Sequence, residues 1–321
     1  MTSRRIVALS ISDAPRHARL GFGPEHLREA VVRLTRFVLR RDWDIAYGGD
    51  LRPEGYTHLV ARVVRAERDA ASEPGNHDKE RSAERRRLSV WLCGSKRIEL
   101  TVDLRARWLG FCRFVLVPQE EFELDEGSRG VADALAYSWM RRRMRMESSK
   151  DSDGHDRPAV SACIVLGGKL AGFSGFMPGI VEEVAWAARA GAEHPIFLLG
   201  GFGGAAGLLA EGIASGRLPA ALLESDAATR SKVEERIRVF ETGGGAALDR
   251  SRTAGLRPKE NWDAVRSLCK AGVAGLARRC GLEPRDCETM LHEGDLAEVL
   301  RVMARSSWFP TKPGRDTGST R

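Results

Sequence analysis

Pro178 and Gly179 stand at the head of an apolar helical pattern, and two adjacent carboxylates, Glu182 and Glu183, fall in its first turn. A proline that starts a helix, followed by a glycine that leaves the first amides uncovered, makes an N-terminus suited to an anion. Glutamates in that turn also complement the helix dipole, by roughly 0.3–1 kcal/mol each. Two carboxylates beside a phosphate would repel it, so a functional pair must face ribose hydroxyls or a glycosidic bond that needs a proton. The second charged group is "WMRRRMRM". On a helix Arg141 and Arg145 are four apart and share a face, whereas Arg142 and Arg143 point elsewhere. Such a run serves either as a solvated face or as a guanidinium clamp whose planar fork matches two phosphate oxygens.

A third feature is repeated. Three apolar runs each end in Gly-Gly: "IAYGGD" at Gly48 and Gly49, "IVLGGK" at Gly167 and Gly168, and "FLLGGFGG" at Gly200 and Gly201. Each pair by itself is enough for a tight turn after a strand. Together, at the same point of three strand–helix units, they predict three backbone edges lining one crevice, because glycine lets a ligand approach the main chain closely.

The elements needed to hold these groups can be read from the periodicity. "RRIVALSIS" reads as a buried strand ending in Ser10 and Ser12. A helix follows, with Pro24 in its first turn and Leu27, Val31, Leu34 and Val38 on one face. "WDIAYGGDLRPEGYT" gives a second strand, and a helix begins near Tyr56 and ends before Ala71. Residues 71–87 read as an exposed loop. "RLSVWLCG" and "FCRFVLVP" read as strands, 130–146 as a helix that turns basic, and "ESSKDSDGHDRP" as a linker. Beyond it come the strand Ala162–Leu166, a helix from about Gly179 to Ala190, and "HPIFLLGGFGGAAGLLAEGI", read as a strand; from Arg217 onward only helical patterns remain. The alternation predicts an α/β fold, a doubly wound and mainly parallel sheet with helices on its faces and a C-terminal helical extension. Expected boundaries are 1–215 for the sheet domain, 216–308 for the extension and 309–321 for a disordered tail.

Composition narrows the function classes. Lys and Arg number 51 against 44 Asp and Glu, a net charge of +7 spread along the chain, which fits an anionic ligand or ordinary solubility. The six cysteines form no CxxC pair and sit in apolar runs, so reduced buried thiols are expected and no metal site. No apolar stretch nears the roughly 18 residues of a membrane span, and the expected location is cytoplasmic. Aromatics are few and no nucleic-acid-binding motif is present, so no nucleic-acid partner is expected.

Taken as a set, "YGGDLR", "MRRRM", "VLGGK" with "MPGIVEE", and "FLLGGFGG" resemble the SLOG superfamily over about Arg5 to Gly212. These are Rossmann-like domains related to the Lonely Guy phosphoribohydrolases, the ligand-binding domain of TRPM channels and DNA-processing protein A. More narrowly the chain resembles bacterial SLOG clusters of predicted conflict and defence systems. "AGLRPKENWDAV" resembles the family segment that precedes a closing helix pair.

In Lonely Guy enzymes a Pro-Gly-Gly-x-Gly-Thr-x-x-Glu motif binds phosphate and supplies the acid, assisted by an Arg from an upstream Met-x-x-Arg-Lys helix. Pro178 and Gly179 match the start of that motif, Glu182 or Glu183 stands in for the acid, and Met140 with Arg143 matches the upstream motif. No Gly-Thr precedes the Glu, which shifts the expectation from hydrolysis towards binding. The resemblance thus implies a sensor of a nucleotide-derived ligand such as NAD, ADP-ribose or a cyclic nucleotide, held as ligand rather than as cofactor. A homo-oligomer and a separately encoded effector are the implied partners. In this reading Arg141, Arg145, Pro178, Gly179 and the glycine ends, with Phe202 and Gly203, cradle phosphate. Glu182 and Glu183 take ribose hydroxyls; Ser10, Ser12, Asp50 and Arg52 complete the rim. The alternative is a nucleotide glycosidic-bond hydrolase with Glu183 as acid/base and Arg143 beside it; a third reading is single-strand DNA binding.

Overall fold

The computed structural model describes residues 5–14, 21, 23–49, 51–71, 86–93, 96, 99–117, 129–150, 156–157, 159–224, 226–244 and 256–310. The main sheet is built from β1 (Ile6–Ser12), β2 (Asp44–Gly48), β3 (Leu88–Cys93), β4 (Cys112–Val117), β7 (Ala162–Gly167) and β8 (Ile196–Leu199). Between β4 and β7 in the chain lie two short strands, β5 (Ser149–Lys150) and β6 (Asp156–Arg157), which pair antiparallel with each other inside the expected linker. The order across the main sheet is β4-β3-β2-β1-β7-β8, and every pairing is parallel. β3, β7 and β8 are buried along their whole length, as continuous apolar runs covered on both faces must be.

Right-handed crossovers fix where the helices lie. The chain moves one way from β1 to β4 through α1 (Pro24–Arg40), α2 (Tyr56–Ala71) and α3 (Val102–Trp108). It then returns past β1 through α4 (Arg129–Met146) and α5 (Gly179–Arg189). The reversal puts α1 and α2, which pack together, on one face and α4 and α5, which also pack together, on the other. The strand order reverses between β1 and β7, so the ligand crevice of such a sheet opens above the carboxyl ends of those two strands. Leu27, Val31, Leu34 and Val38 all face the core from α1.

The segment 194–213 is not one strand. β8 stops at Leu199, a 3₁₀ turn covers Gly200–Phe202, and α6 (Gly204–Ser215) follows. Gly203 makes this sharp change possible at φ 70, a left-handed region that is open to glycine. The run misleads because Leu, Ala and Gly leave no period of either kind. After α6 come α7 (Ala227–Val239), α8 (Pro258–Cys280), α9 (Pro284–His292) and α10 (Leu296–Arg305). α8 packs on α5 and α6, α9 covers β8, and α10 reaches α1.

Phe309, placed by the sequence in the terminal tail, is instead fully buried. Its ring meets Phe37, Trp43 and Phe197 at centroid distances of 5.1, 5.0 and 4.9 Å. Loss of a ring so placed costs about 3–5 kcal/mol. Residues 311–321 and most of the 71–87 loop lie outside the described residues. All six cysteines are free and buried.

Candidate functional site

α4 runs down from the carboxyl edge of the sheet and α5 starts at that edge, so their facing sides meet below the switch point. Ser138, Arg141 and Arg145 are spaced by three and four and therefore form one stripe on α4. Opposite them, near the start of α5, are Glu182 in its first turn and Glu183 just after it. The two helices join through two Arg–Glu–Ser groups. In the first, Glu182 accepts from the Ser138 hydroxyl at Oε1 and from Arg141 Nη1 at Oε2. In the second, Glu183 Oε2 accepts from the Ser10 hydroxyl of β1 and from Arg145 Nη2, the latter at 2.7 Å. Arg145 Nη2 also donates to Ser10 Oγ at 2.7 Å.

Exposure differs between the groups. Arg145 is 1% exposed, so it holds Glu183 in place and cannot reach a ligand; Ser10, buried to the same degree, is occupied in the same way. Glu182 is also 1% exposed and has both oxygens engaged, which removes it as an acceptor for ribose. These placements correct the roles expected for Ser10, Arg145 and Glu182, and the reason is common to all three: opposite charges buried between packed helices pair with one another. Glu183 differs, because among the described residues its Oε1 makes no hydrogen bond; it stands 4.0 Å from Arg141 Nε.

Arg141 is the outer cation, 13% exposed at the side chain. Burial opposes its charge, but Glu182 and Glu183 together outweigh that cost and hold its pKa above the ordinary arginine value. Its guanidinium lies over the start of α5: a Cβ added to Gly179 would come within 2.7 Å of Nη2, and one added to Gly175 within 3.3 Å of Nη1. Glycine at both positions makes room for the arginine. Its Nε is buried and makes no hydrogen bond among the described residues, standing only in the longer ion pair with Glu183 Oε1. The site therefore presents a cation, the amide end of an 11-residue helix and one carboxylate oxygen at a common point.

Arg143 does not join this constellation. It pairs with Glu147 one turn on, at 3.5 Å, and Arg142 turns to the same glutamate at 3.6 Å. The position that meets Glu183 is Arg145, two residues later, because the phase of α4 against α5 is set by packing and not by motif spacing.

The three glycine ends serve different purposes. Gly167 and Gly168, at φ 68 and 108, are buried; the Gly168 amide donates to the Ser12 carbonyl at 3.0 Å and its carbonyl accepts from the Ala205 amide at 3.1 Å. They lock β1, β7 and α6 together beside the crevice. Gly48 is half-buried under the Met140 and Met144 side chains, and Gly49 sits against the Tyr47 ring. Gly200 and Gly201 abut the main chain at Leu291 and Glu293, so the C-terminal helices occupy that edge, and Phe202 is 3% exposed. Of the three glycine edges, Gly167–Gly168 lies beside Ser12 and α6, while Gly200–Gly201 is covered by the C-terminal helices.

At the rim, Ser12 is half-buried and its hydroxyl accepts from the Lys169 amide at 3.3 Å. Asp13 next to it accepts from the Tyr56 hydroxyl at 3.1 Å and faces Lys169 Nζ at 3.9 Å. Burial first, then the Asp13 charge, pushes the Tyr56 phenol pKa up, so the hydroxyl keeps its proton and donates. Arg52 is exposed beyond β2, on the side of Glu99. Asp50 lies outside the described residues. Ser138, Asp13, Tyr56 and Lys169 escaped the sequence reading; only Ser138 left a signal, a polar residue within the apolar stripe of "ADALAYSWM".

A doubly wound sheet with its polar constellation at the switch point defines a class, the Rossmann-like proteins that bind ligands at the carboxyl edge. Within it, the family model described as SLOG cluster2 matches residues 1–252, and the chain belongs to this SLOG family. Membership connects the chain with nucleotide-related ligand binding or processing. A search of curated proteins gives no match. Among the described residues no helix is long and apolar enough to cross a membrane, and no group of three or more His, Cys, Asp or Glu is placed to hold a metal ion.

Proposed function

We propose that the chain binds a phosphate-bearing, nucleotide-derived ligand, of the NAD, ADP-ribose or cyclic-nucleotide kind, and acts as a sensor for it. The observation that carries this reading is the single free oxygen of Glu183 beside Arg141: Ser10 and Arg145 fix Oε2, and Oε1 stands 4.0 Å from Arg141 Nε. A hydrogen-bond acceptor and a guanidinium side by side match a ribose hydroxyl next to a phosphate. The start of α5 adds main-chain donors to the phosphate. Pro178 and Gly179 shape that end, and Ser12 lies at the rim with Asp13. A homo-oligomeric assembly and a separate effector are the partners such a sensor of a conflict or defence system calls for.

One observation also favours a second reading. The same oxygen of Glu183 offers a carboxyl group of the kind that acid–base catalysis of glycosidic cleavage uses. Incubation of the purified chain with ADP-ribose, NAD and nucleoside monophosphates separates the two. Calorimetric binding with no released base supports the sensor. Release of base, lost in Glu183→Gln, supports the hydrolase and overturns the sensor. If no nucleotide binds but a short single-stranded oligonucleotide is retained with a steep salt dependence, both readings fail.

A further inference from the structure

The loop from β7 to α5 carries Gly175 and runs into Gly179, the first residue of α5, and Arg141 lies against both glycines. Around its middle, α7 holds this loop. Arg236 Nη1 donates to the Gly175 carbonyl at 2.9 Å and to the Phe173 carbonyl at 3.3 Å. The Gly172 amide donates to Thr229 Oγ1 at 3.0 Å, and Thr229 is itself fixed by Asp226, which accepts from its amide at 2.8 Å and from its hydroxyl at 2.9 Å. Phe176 meets Phe240, with ring centroids 5.6 Å apart.

Between loop and helix lies a cavity of about 420 Å³, lined by Ser174, Lys232 and Arg236 among others. The two are therefore joined by a few directed bonds rather than by continuous packing. Arg236 also faces α4: burial lowers its pKa, and Asp133 of α4 partly restores it. One side chain thus touches the loop under Arg141 and feels the charge of the helix that bears Arg141.

We propose that Arg236 is a positioning residue of the candidate site. It holds Gly175 beneath the Arg141–Glu182 pair and passes any movement of that pair to α7. The inference rests on the nucleotide reading for its ligand, but the positioning itself does not. A phosphate at Arg141 competes with Glu182 for the guanidinium. The arginine fills the space a side chain at Gly175 would take, 3.3 Å from Nη1 to that Cβ position, so a shift of the arginine changes what Gly175 packs against, and the Gly175 carbonyl is clamped to α7.

Hydrogen exchange on the full chain tests this, with and without ADP-ribose, for the wild type, Arg236→Ala and Arg236→Lys. Without ligand, Arg236→Ala raises exchange at residues 172–176 and in the first turn of α5 but not in β1 or β8, and Arg236→Lys, which keeps one donor, recovers part of the protection. With ADP-ribose the wild type gains protection in the loop and in α7 together. In Arg236→Ala the gain in α7 disappears and affinity falls about tenfold, the effect of losing a charged hydrogen bond. Unchanged loop exchange in ligand-free Arg236→Ala overturns the proposal. So does an α7 response to ADP-ribose that survives that substitution. If ADP-ribose does not bind the wild type while the ligand-free loop responds as stated, the positioning role stands and the nucleotide reading falls.

Discussion

Glu182 and Glu183 are adjacent, carry the same group and face the same helix, yet one is closed and the other half open. Glu182 spends both oxygens on Ser138 and Arg141 of α4. Glu183 gives one oxygen to Ser10 and Arg145, from a strand and a helix, and keeps the other. Their arginines differ in the opposite sense: the partner of the closed glutamate is the more accessible, at 13%, and the partner of the half-open one is sealed, at 1%. Each group therefore joins one more accessible side chain to a sealed support. In the proposed site Arg141 would meet the ligand while Glu182 holds it in place, and Glu183 would meet it while Arg145 and Ser10 hold the glutamate.

Substitutions can break this division of roles. The largest effect is expected from Arg145→Ala, which strands a buried carboxylate and lowers unfolding free energy by about 3–5 kcal/mol in urea titration. Replacing the pair together, as Arg145→Met with Glu183→Leu, restores most of that stability, since apolar groups of like volume carry no unpaired charge. If Arg145→Ala proves no more harmful than Arg141→Ala, the contrast between sealed and open arginines is wrong.

Next is Arg141→Ala, for which calorimetry is expected to give a roughly 10–100-fold loss of affinity for both ADP-ribose and inorganic phosphate, the cost of a charge-assisted contact. Glu183→Gln is milder and selective: ADP-ribose weakens about tenfold while inorganic phosphate is unaffected, because only a hydroxyl uses the carboxylate. Equal losses for the two ligands would remove the ribose role.

The smallest effect is expected from Gly179→Ala. The new methyl displaces Arg141 Nη2, the end of a flexible side chain, while alanine favours the helix over glycine by about 1 kcal/mol. The melting temperature should hold or rise as phosphate affinity drops a few-fold. A drop in both would mean that the arginine cannot move aside.

The sheet and its first helices were legible because their patterns are local. The run of Leu27, Val31, Leu34 and Val38 can bury only one face, and "IVLGG" can hardly be anything but a central strand. The stretch at 194–213 reads as a single strand because nothing in Leu, Ala and Gly marks the point where strand becomes helix. The candidate site was legible in its parts and not in its pairing. The spacing of Arg141 and Arg145 announces one face of α4, but which of them meets which glutamate depends on the depth at which α4 and α5 cross. Asp13, Tyr56 and Lys169 come from three separate elements, and only the fold brings them together. The glycines at 200 and 201 look like ligand-binding edges until helices some ninety residues further on take the space.

Phe309 has a consequence for how the molecule is made. Its pocket is formed by Phe37 of α1, by Trp43 before β2 and by Phe197 of β8. As the chain leaves the ribosome, the first two rings emerge early and wait, apolar and uncovered, until residue 309 follows. That corner cannot close before residue 309 has been made, and the interval before it is when a chaperone would find a surface to hold.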